Sequence, residues 1–172
     1  KKIGLITIRS GNIIGGGDWG ENRLIPDLIR FNFENKKTSI RSINSVRPWH
    51  HILDVLNGII ISIEKLSQNY KLSGSYNIGP KKQGISVKEV IKESKLKYPK
   101  YLNKKKRFEE KKYLFLNTDK FSKIFKIKAN VKFKDSIKLT INWYKKYYKK
   151  ENINHIINND LKNYFKIWVR KS

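Results

Sequence analysis

The segment Ile3–Arg9 (IGLITIR) is a short, β-branched, strongly apolar run that leads directly into a glycine-rich loop. Such a run is typical of a buried strand. The loop spans Ser10–Asn22, and from Leu24 onward apolar residues recur at helical spacing, with Pro26 tolerated in the first helical turn. A buried strand, a loop and an amphipathic helix in this order predict an α/β fold whose sheet needs further strands beside this one.

More strands and helices are predicted along the rest of the chain. The predicted strands are Thr38–Ile43, Ser75–Pro80 and Tyr113–Leu116, and the predicted helices are Ile52–Leu66, Ser86–Leu96, Asp119–Phe125, Asp135–Lys149 and Ile156–Trp168. The tripeptide Arg47-Pro48-Trp49 is interpreted as a break after the strand 38–43, because proline cannot donate to a sheet ladder. We expect one body over residues 1–149, followed by a tail helix within residues 150–172.

Two local signals strengthen these helices. Ser86 and Glu89 have the spacing of a capping box, in which each side chain accepts from the backbone N–H of the other. In the helix 135–149, steps of three and four residues align four apolar or aromatic side chains, so that face is predicted to be buried and the intervening lysines to be solvated. This stripe consists of Ile137, Ile141, Tyr144 and Tyr148.

The composition excludes several classes of protein and site. The chain has 172 residues, no cysteine and three histidines, so it has no disulfide, no cysteine nucleophile, no thiolate metal site and no H-E-x-x-H zinc motif. We assign no metal site. No apolar run is long enough to span a membrane. The chain lacks methionine and begins inside an apolar run, so we expect a fragment cut at its N-terminal side, and no signal peptide is in view, which suits a cytoplasmic protein.

The formal charge of +25 raises the possibility of nucleic-acid binding. Residues 1–60 carry nine basic and five acidic residues, so most of the excess lies in residues 61–172. Of the 39 basic residues, 32 are lysines, and the chain is also rich in Ile and Asn, the residues that A/T-rich codons encode. Base readers favour the planar fork of arginine. Codon bias therefore explains the lysines, and a nucleic-acid-binding role is kept only as an alternative.

Two motif matches are interpreted as coincidences. Gly15, Gly17 and Gly20 fit G-x-G-x-x-G, but they lie several residues beyond the strand and open no helix, as a dinucleotide cradle requires. Tyr101 and Lys105 fit Y-x-x-x-K, but a chain with nine tyrosines and 32 lysines is expected to contain such a match by chance. No catalytic and no cofactor-binding residue is therefore assigned within this chain.

Three segments in a fixed order carry a specific resemblance. Arg9–Asp27 contains R-S-G-N-I-I-G-G-G-D-W, Val46–Leu53 is V-R-P-W-H-H-I-L, and Gly74–Pro80 is G-S-Y-N-I-G-P. Together with Tyr113–Leu116 and the helix around Trp143, they resemble the CDP-glucose 4,6-dehydratase family, a branch of the extended short-chain dehydrogenase/reductases. The resemblance implies the C-terminal portion of that fold: the end of a Rossmann-type sheet interleaved, over residues 1–149, with a small substrate-binding α/β subdomain.

The resemblance also implies a set of substrate-binding residues: Asn12, Arg23, Leu24, Ser39, Arg41, Arg47 and Asn77. Arg47 matches the arginine that binds the diphosphate, and a bidentate guanidinium is the best single group for that task. Asn12 matches the loop amide that reaches the same diphosphate. Arg23 and Leu24 match the pair that lies against the nucleotide at a helix start.

The other matched positions carry weaker expectations. Ser39 and Arg41 fall on the strand that lines the base in relatives. Asn77 is expected to be a structural partner of a turn more than a ligand, and Trp19 and Trp49 are expected to pack rather than to stack on a base.

For the complete enzyme, the resemblance implies conversion of CDP-glucose to CDP-4-dehydro-6-deoxyglucose with tightly bound NAD. NAD would oxidise C4, water would leave across C5 and C6, and the hydride would return to C6. The residues for this chemistry are expected N-terminal to Lys1, so the chain alone is expected to be inactive. A homodimer and a role in polysaccharide biosynthesis are further implications of the family.

The chain departs from the family pattern near residue 110. The family has His-Glu-Ala before the Tyr113–Leu116 segment and an aspartate after it, whereas Glu109, Glu110, Lys111 and Asn117 stand here. Two alternatives stay open: another extended short-chain dehydrogenase/reductase that acts on a different sugar nucleotide, and a lysine-rich nucleic-acid-binding remnant.

Overall fold

The computed structural model describes residues 2–40, 42–99 and 111–169, with side chains described up to residue 167. Within these ranges the strands are β1 Ile6–Ser10, β2 Asn12–Ile14, β3 Val46–Arg47, β4 Trp49–His51, β5 Gly74–Ile78 and β6 Ile85–Ser86. The helices are α1 Leu24–Phe33, α2 Ile52–Gln68, α3 Val87–Ser94, α4 Asp119–Phe125, α5 Phe133–Tyr148 and α6 Ile153–Val169, with a 3₁₀ turn at Tyr70–Leu72. The fold is mixed α/β, as predicted.

The strands form three short pairs. β1 pairs in parallel with β5, from Ile6 opposite Gly74 to Ser10 opposite Ile78. β2 pairs in parallel with β4, and β3 pairs antiparallel with β6. Only Gly11 separates β1 from β2, so one nearly continuous stretch of chain links the two parallel pairs. Parallel strands require a crossover connection: α1 lies in the connection from β2 to β4, and α2 lies in the longer connection from β1 to β5.

Two apolar clusters form most of the core. The larger lies between α1, α3 and α5 and contains Ile29, Val90, Ile137 and Tyr144, all at most 1% exposed. The smaller packs Tyr76 and Ile78 of β5 against Phe121 and Phe125 of α4. The predicted stripe on α5 is confirmed, because Ile137, Ile141 and Tyr144 are buried and Tyr148 packs at the cluster edge. None of the described helices is long and apolar enough to cross a bilayer.

The helix predictions with strong local signals are confirmed. α1 begins at Leu24, and α4 spans Asp119–Phe125 as predicted. At the start of α3, the Glu89 N–H donates to Ser86 Oγ at 3.2 Å, and the Ser86 N–H donates to Glu89 Oε2 at 2.8 Å. The bonds from Ser86 lower the pKa of Glu89. The predicted capping box therefore fixes this helix end.

Two predicted strands are wrong. Among the described residues of the segment 38–43, Ile40 alone makes a β-bridge, and its side chain is buried against Leu28 and Ile91. The alternating pattern there reflects the burial of Ile40 and not a series of strand hydrogen bonds. Of the predicted strand Tyr113–Leu116, only Tyr113 bridges, to Val46. β3 is two residues long and already pairs with β6, so it offers few positions for a third strand.

The segment around Pro48, which was interpreted as a break, instead joins two short strands. β3 ends at Arg47 and β4 begins at Trp49. The Pro48 carbonyl oxygen accepts from the Asn12 N–H at 3.0 Å, so the proline contributes to the strand pairing through its acceptor. Proline lacks only the donor, which is why the two short strands tolerate it.

Candidate functional site

The motifs R-S-G-N and R-P-W dock directly against each other. A Cβ at Gly11 would collide with the carbonyl oxygen and ring of Pro48, so only glycine allows the two backbones to approach this closely. The next residue, Asn12, lies opposite Trp49 in the parallel pair of β2 and β4. This contact places the asparagine of one motif beside the segment that carries Arg47.

The glycine-rich loop is filled by side chains from two helices. A Cβ at Gly15 would collide with Ile52 of α2, and a Cβ at Gly16 would collide with the indole of Trp143 on α5. The Tyr144 hydroxyl donates to the Asp18 carbonyl at 2.6 Å, and burial raises the pKa of Tyr144 to about 12. The loop is therefore a packing surface for α5.

Trp19 and Trp49 both pack. The Trp19 ring lies edge-on to Tyr144, with a centroid distance of 5.3 Å, and 5.0 Å from Tyr147. Trp49 is buried, and its Nε1–H donates to the Ile85 carbonyl at 3.1 Å. The two indoles thus hold the loop to α5 and β4 to β6.

A cavity of about 340 Å³ brings two of the predicted residues together. Asn12 and Arg23 line it, with Trp49 and the backbone of the glycine-rich loop. Arg23 precedes the first residue of α1, and its Nη1 lies 3.2 Å from both carboxylate oxygens of Asp18. An amide, a guanidinium and the start of a helix thus lie on one concave surface, together with the Asp18 carboxylate that pairs with the guanidinium. An anion that binds there must replace Asp18 as the partner of Arg23.

Arg47 lies on the neighbouring segment, outside the lining of that cavity. Its Nη1 donates to the Val46 carbonyl at 2.8 Å and lies 3.4 Å from the Lys112 carbonyl. Two backbone hydrogen bonds join the same segment to Val46: the Val46 N–H donates to the Lys112 carbonyl, and the Leu114 N–H donates to the Val46 carbonyl. Arg47 is half-buried, and its Nη1 holds it to this segment.

The remaining predicted residues lie elsewhere. Ser39 lines a different groove, of about 610 Å³, on the side of Arg30 and Glu34. Leu24 is half-buried against the core. Asn77 donates from Nδ2 to the Asn117 carbonyl at 3.0 Å, so it ties β5 to the start of α4. Arg41, Glu109 and Glu110 lie outside the described residues, as does the Y-x-x-x-K match at 101–105.

Sequence reasoning did not find a buried polar cluster at the junction of β4 and α2. His50 and His51 are at most 2% exposed, and burial lowers the pKa of each to about 4, so both rings are neutral at neutral pH. His51 Nδ1 accepts from the Leu53 N–H at 3.3 Å, whereas neither ring nitrogen of His50 has a hydrogen-bond partner among the described residues. The sequence signal was the pair of histidines directly before a helix.

Asp54 is the centre of that cluster. Its Oδ2 accepts from the backbone N–H groups of Asn130 and Val131 at 3.0 and 2.9 Å, and its Oδ1 accepts from the Tyr164 hydroxyl at 3.1 Å. The Nε2 of His50 lies 3.8 Å away, beyond hydrogen-bonding distance. One carboxylate thus ties the first turn of α2 to the loop before α5 and to α6.

Comparison with solved structures identifies the class of fold. The UDP-glucose 4-epimerase of Stenotrophomonas maltophila, with bound NAD and formylated UDP-arabinopyranose, superposes with a TM-score of 0.75 at 17% identity, over 88% of this chain and 50% of that one. The UDP-glucuronic acid 4-epimerase of Bacillus cereus, with UDP-glucuronic acid and NAD, gives a TM-score of 0.71 at 20% identity, over 85% and 46%. The fold is that of the extended short-chain dehydrogenase/reductases.

Within that class, a sequence match is more specific. The chain is 41% identical over 90 residues to the CDP-glucose 4,6-dehydratase of Salmonella typhimurium, a match that covers 52% of this chain and 25% of that protein. The resemblance predicted from the three motifs is therefore confirmed. No protein-family model matches the chain. The chain spans about half the length of the solved relatives.

Proposed function

We propose that the chain is the substrate-binding C-terminal part of an NAD-dependent sugar-nucleotide 4,6-dehydratase whose substrate is CDP-glucose. The observation that carries the proposal is the docking of the R-S-G-N motif on the R-P-W motif, through Gly11 and Pro48, in a chain that is 41% identical to a CDP-glucose 4,6-dehydratase over 90 residues. In this proposal residues 1–149 form the substrate-binding body, and residues 150–172 form the tail helix.

Each site residue has a role that its chemistry supports. Arg47 forms a charge-assisted pair with the diphosphate, the group for which a guanidinium is best suited. Asn12 donates its amide N–H to the same group, and Arg23 approaches it from the start of α1, whose free N–H groups favour an anion. By the resemblance, Leu24 is proposed to contact the nucleotide together with Arg23, and Ser39 and Arg41 are proposed to contact the base. Asn77 holds the loop after β5 in place.

NAD is proposed as the cofactor of the complete enzyme, where it supplies reversible hydride transfer. No residue of this chain is assigned to it. Ile52 and Trp143 lie where a pyrophosphate would have to approach Gly15 and Gly16, so the glycine-rich loop does not fit that group. Elimination of water across C5 and C6 is likewise assigned to residues outside this chain. A homodimer, a cytoplasmic location and a role in polysaccharide biosynthesis complete the proposal.

A second candidate is an epimerase or dehydratase that acts on a UDP-sugar, favoured by the UDP-sugars bound in the solved relatives. A competition titration of the complete protein with CDP-, UDP- and GDP-glucose separates the two. Tighter binding of CDP-glucose supports the proposal. Tighter binding of UDP- or GDP-glucose overturns the assignment of the nucleotide and leaves the class of enzyme intact.

A further inference from the structure

Another cavity, separate from the one that Asn12 and Arg23 line, lies between α2, the end of β5 and α4. Its volume is about 420 Å³, which is typical of a site for a small molecule. None of the described residues assigned above to the sugar nucleotide lines it. The apolar part of its lining consists of Ile78, Pro80, Leu116, Phe121 and Ile127.

Hydrogen bonds between neighbouring residues hold the wall of this cavity in shape. The Gln83 side chain joins both backbone groups of Leu116: its Oε1 accepts from the N–H at 2.8 Å, and its Nε2 donates to the carbonyl at 2.7 Å. Asn117 Oδ1 accepts from the Asp119 N–H at 3.0 Å, and the Asn117 carbonyl accepts from Asn77. The side-chain amides of Gln83 and Asn77 and the Oδ1 of Asn117 are thus paired with backbone groups, so the cavity is formed before any ligand enters it.

His50 is the buried polar side chain of this cavity that lacks a partner. It lines the cavity and is 1% exposed, and neither of its ring nitrogens has a hydrogen-bond partner among the described residues. The neutral ring offers one N–H donor and one lone pair. Ser10 and His51 also have unpaired buried atoms, but neither residue lines this cavity. Because an unpaired buried polar group is costly, His50 calls for a partner inside the cavity.

Charge distinguishes the inner end of the cavity from its mouth. At the inner end, Asp54 is buried, and its Oδ2 lies 3.8 Å from His50 Nε2. That carboxylate opposes a second anion beside His50, so the inner end suits an uncharged group such as a hydroxyl, which both donates and accepts. At the mouth, the exposed side chains of Lys81 and Lys128 outnumber that of Asp119, which favours one negative charge there.

We propose that this cavity binds a small hydroxylated molecule that carries one anionic group, with a hydroxyl paired to His50 and the anionic group at Lys81 and Lys128. A sugar phosphate or a sugar acid has this chemistry. Its hydroxyls match the donor and the acceptor of the imidazole, and its C–H face packs against Ile78 and Phe121. The proposal does not depend on the assignment of CDP-glucose, because it uses none of the residues of that site.

The experiment titrates glucose 1-phosphate, gluconate, glucose and inorganic phosphate into the 172-residue chain at neutral pH, followed by isothermal titration calorimetry. We expect glucose 1-phosphate or gluconate to bind at one site, and the tighter of these two anions tells a phosphate from a carboxylate. Glucose and inorganic phosphate should bind at least about tenfold more weakly, because each makes only half of the contacts.

Variants of the inner end and of the mouth test the two halves of the site. His50→Phe should raise the Kd of the tighter anion about tenfold, because a hydrogen bond in a shielded site is lost. Lys81→Ala with Lys128→Ala alters only exposed side chains and should raise this Kd about tenfold as well. Lys82→Ala with Lys123→Ala removes the same charge from exposed positions outside the lining, and should leave the Kd unchanged.

Nuclear magnetic resonance reports the pairing directly. The ring ¹⁵N signals of His50 should shift when the tighter anion saturates the chain, because a hydrogen bond to either nitrogen changes its shielding. The signals of His155, which is exposed on α6, are the control and should stay in place. An unchanged Kd in His50→Phe, or unshifted His50 signals in the saturated chain, would overturn the pairing with His50.

Three further results would overturn the proposal. One is a cavity that holds water only, seen as no binding of glucose 1-phosphate or gluconate. Another is equally tight binding of inorganic phosphate, or equal weakening by the two lysine pairs, since either means a general attraction of anions to a chain of formal charge +25. The third is displacement of the bound anion by CDP-glucose, which assigns it to the sugar-nucleotide site. A chain that binds the anion here but binds no CDP-glucose contradicts only the proposed function.

Discussion

Gly11 lies against Pro48 so closely that any β-carbon at position 11 would collide with the proline carbonyl oxygen. Gly11→Ala should therefore separate β2 from β4. We expect a loss of about 2 kcal/mol in the free energy of unfolding, measured by urea titration, because overpacking against backbone cannot be relieved by a rotamer change. Gly20→Ala is the control, since its β-carbon would meet only the flexible side chain of Arg23. Equal stability of the two variants would contradict this account.

Arg47→Ala should weaken the binding of CDP-glucose to the complete enzyme by about 2 kcal/mol, or about 30-fold in Kd, because a charge-assisted contact to the diphosphate is lost. Isothermal titration measures it. Arg47→Lys should recover part of the affinity, since a lysine keeps the charge without the bidentate geometry. Arg9→Ala, an exposed arginine on β1, is the control. An unchanged Kd in Arg47→Ala would remove the role proposed for Arg47.

The folded chain should lose stability as the pH falls from about 6.5 to about 4. Burial holds the pKa of His50 and His51 at about 4 in the folded state, against an ordinary value of 6.5. Between these values the unfolded chain binds more protons than the folded one, so acid favours unfolding. Each histidine contributes on the order of 3 kcal/mol across that range. Urea unfolding at a series of pH values measures the slope.

His50→Phe tests the cause of that slope. The ring nitrogens of His50 have no hydrogen-bond partner among the described residues, so an apolar ring at this position loses no bond. The variant should keep the fold and show about half of the pH dependence. His155→Gln alters an exposed histidine on α6 and should leave the slope as it is. A full slope in His50→Phe would mean that other groups cause the acid sensitivity.

Tyr164→Phe should loosen the tail helix. The variant removes the hydroxyl that donates to Asp54 at 3.1 Å, in a buried position, and we expect a cost of about 1 to 2 kcal/mol. Hydrogen exchange along α6 should rise more than exchange along α5. Lys162→Ala, at an exposed position on the same helix, should leave α6 protected. Similar exchange in the two variants would show that apolar packing through Ile156 holds the tail.

Local signals predicted the helices better than the sheet. The start of α1 and the capping box of α3 depend on residues within one turn, so the sequence indicates them directly. β3 and β4 depend on partners far along the chain. The proline between them made the segment look like a break, because its carbonyl oxygen, and not an N–H, takes part in the strand pairing. The segment 38–43 shows the converse error, since one anchored isoleucine, Ile40, produced the alternation of a strand.

The candidate site follows the same division. The motifs identified Asn12 and Arg23, which the fold brings into one cavity, but they did not indicate that Ser39 faces a different groove. The cluster of His50 and Asp54 was missed because the sequence does not distinguish a buried neutral histidine from an exposed one. The burial of these histidines depends on the tertiary packing around β4, which the local sequence does not show.

The position of Trp49 gives the protein a built-in optical reporter. Its indole is almost fully shielded from solvent, hydrogen-bonded to the Ile85 carbonyl, and forms part of the wall of the Asn12 and Arg23 cavity. The emission of a shielded indole responds to any charged group brought next to it. The chain has three other tryptophans, so the difference in emission between the wild type and Trp49→Phe is the signal that follows occupation of this cavity, with no label attached.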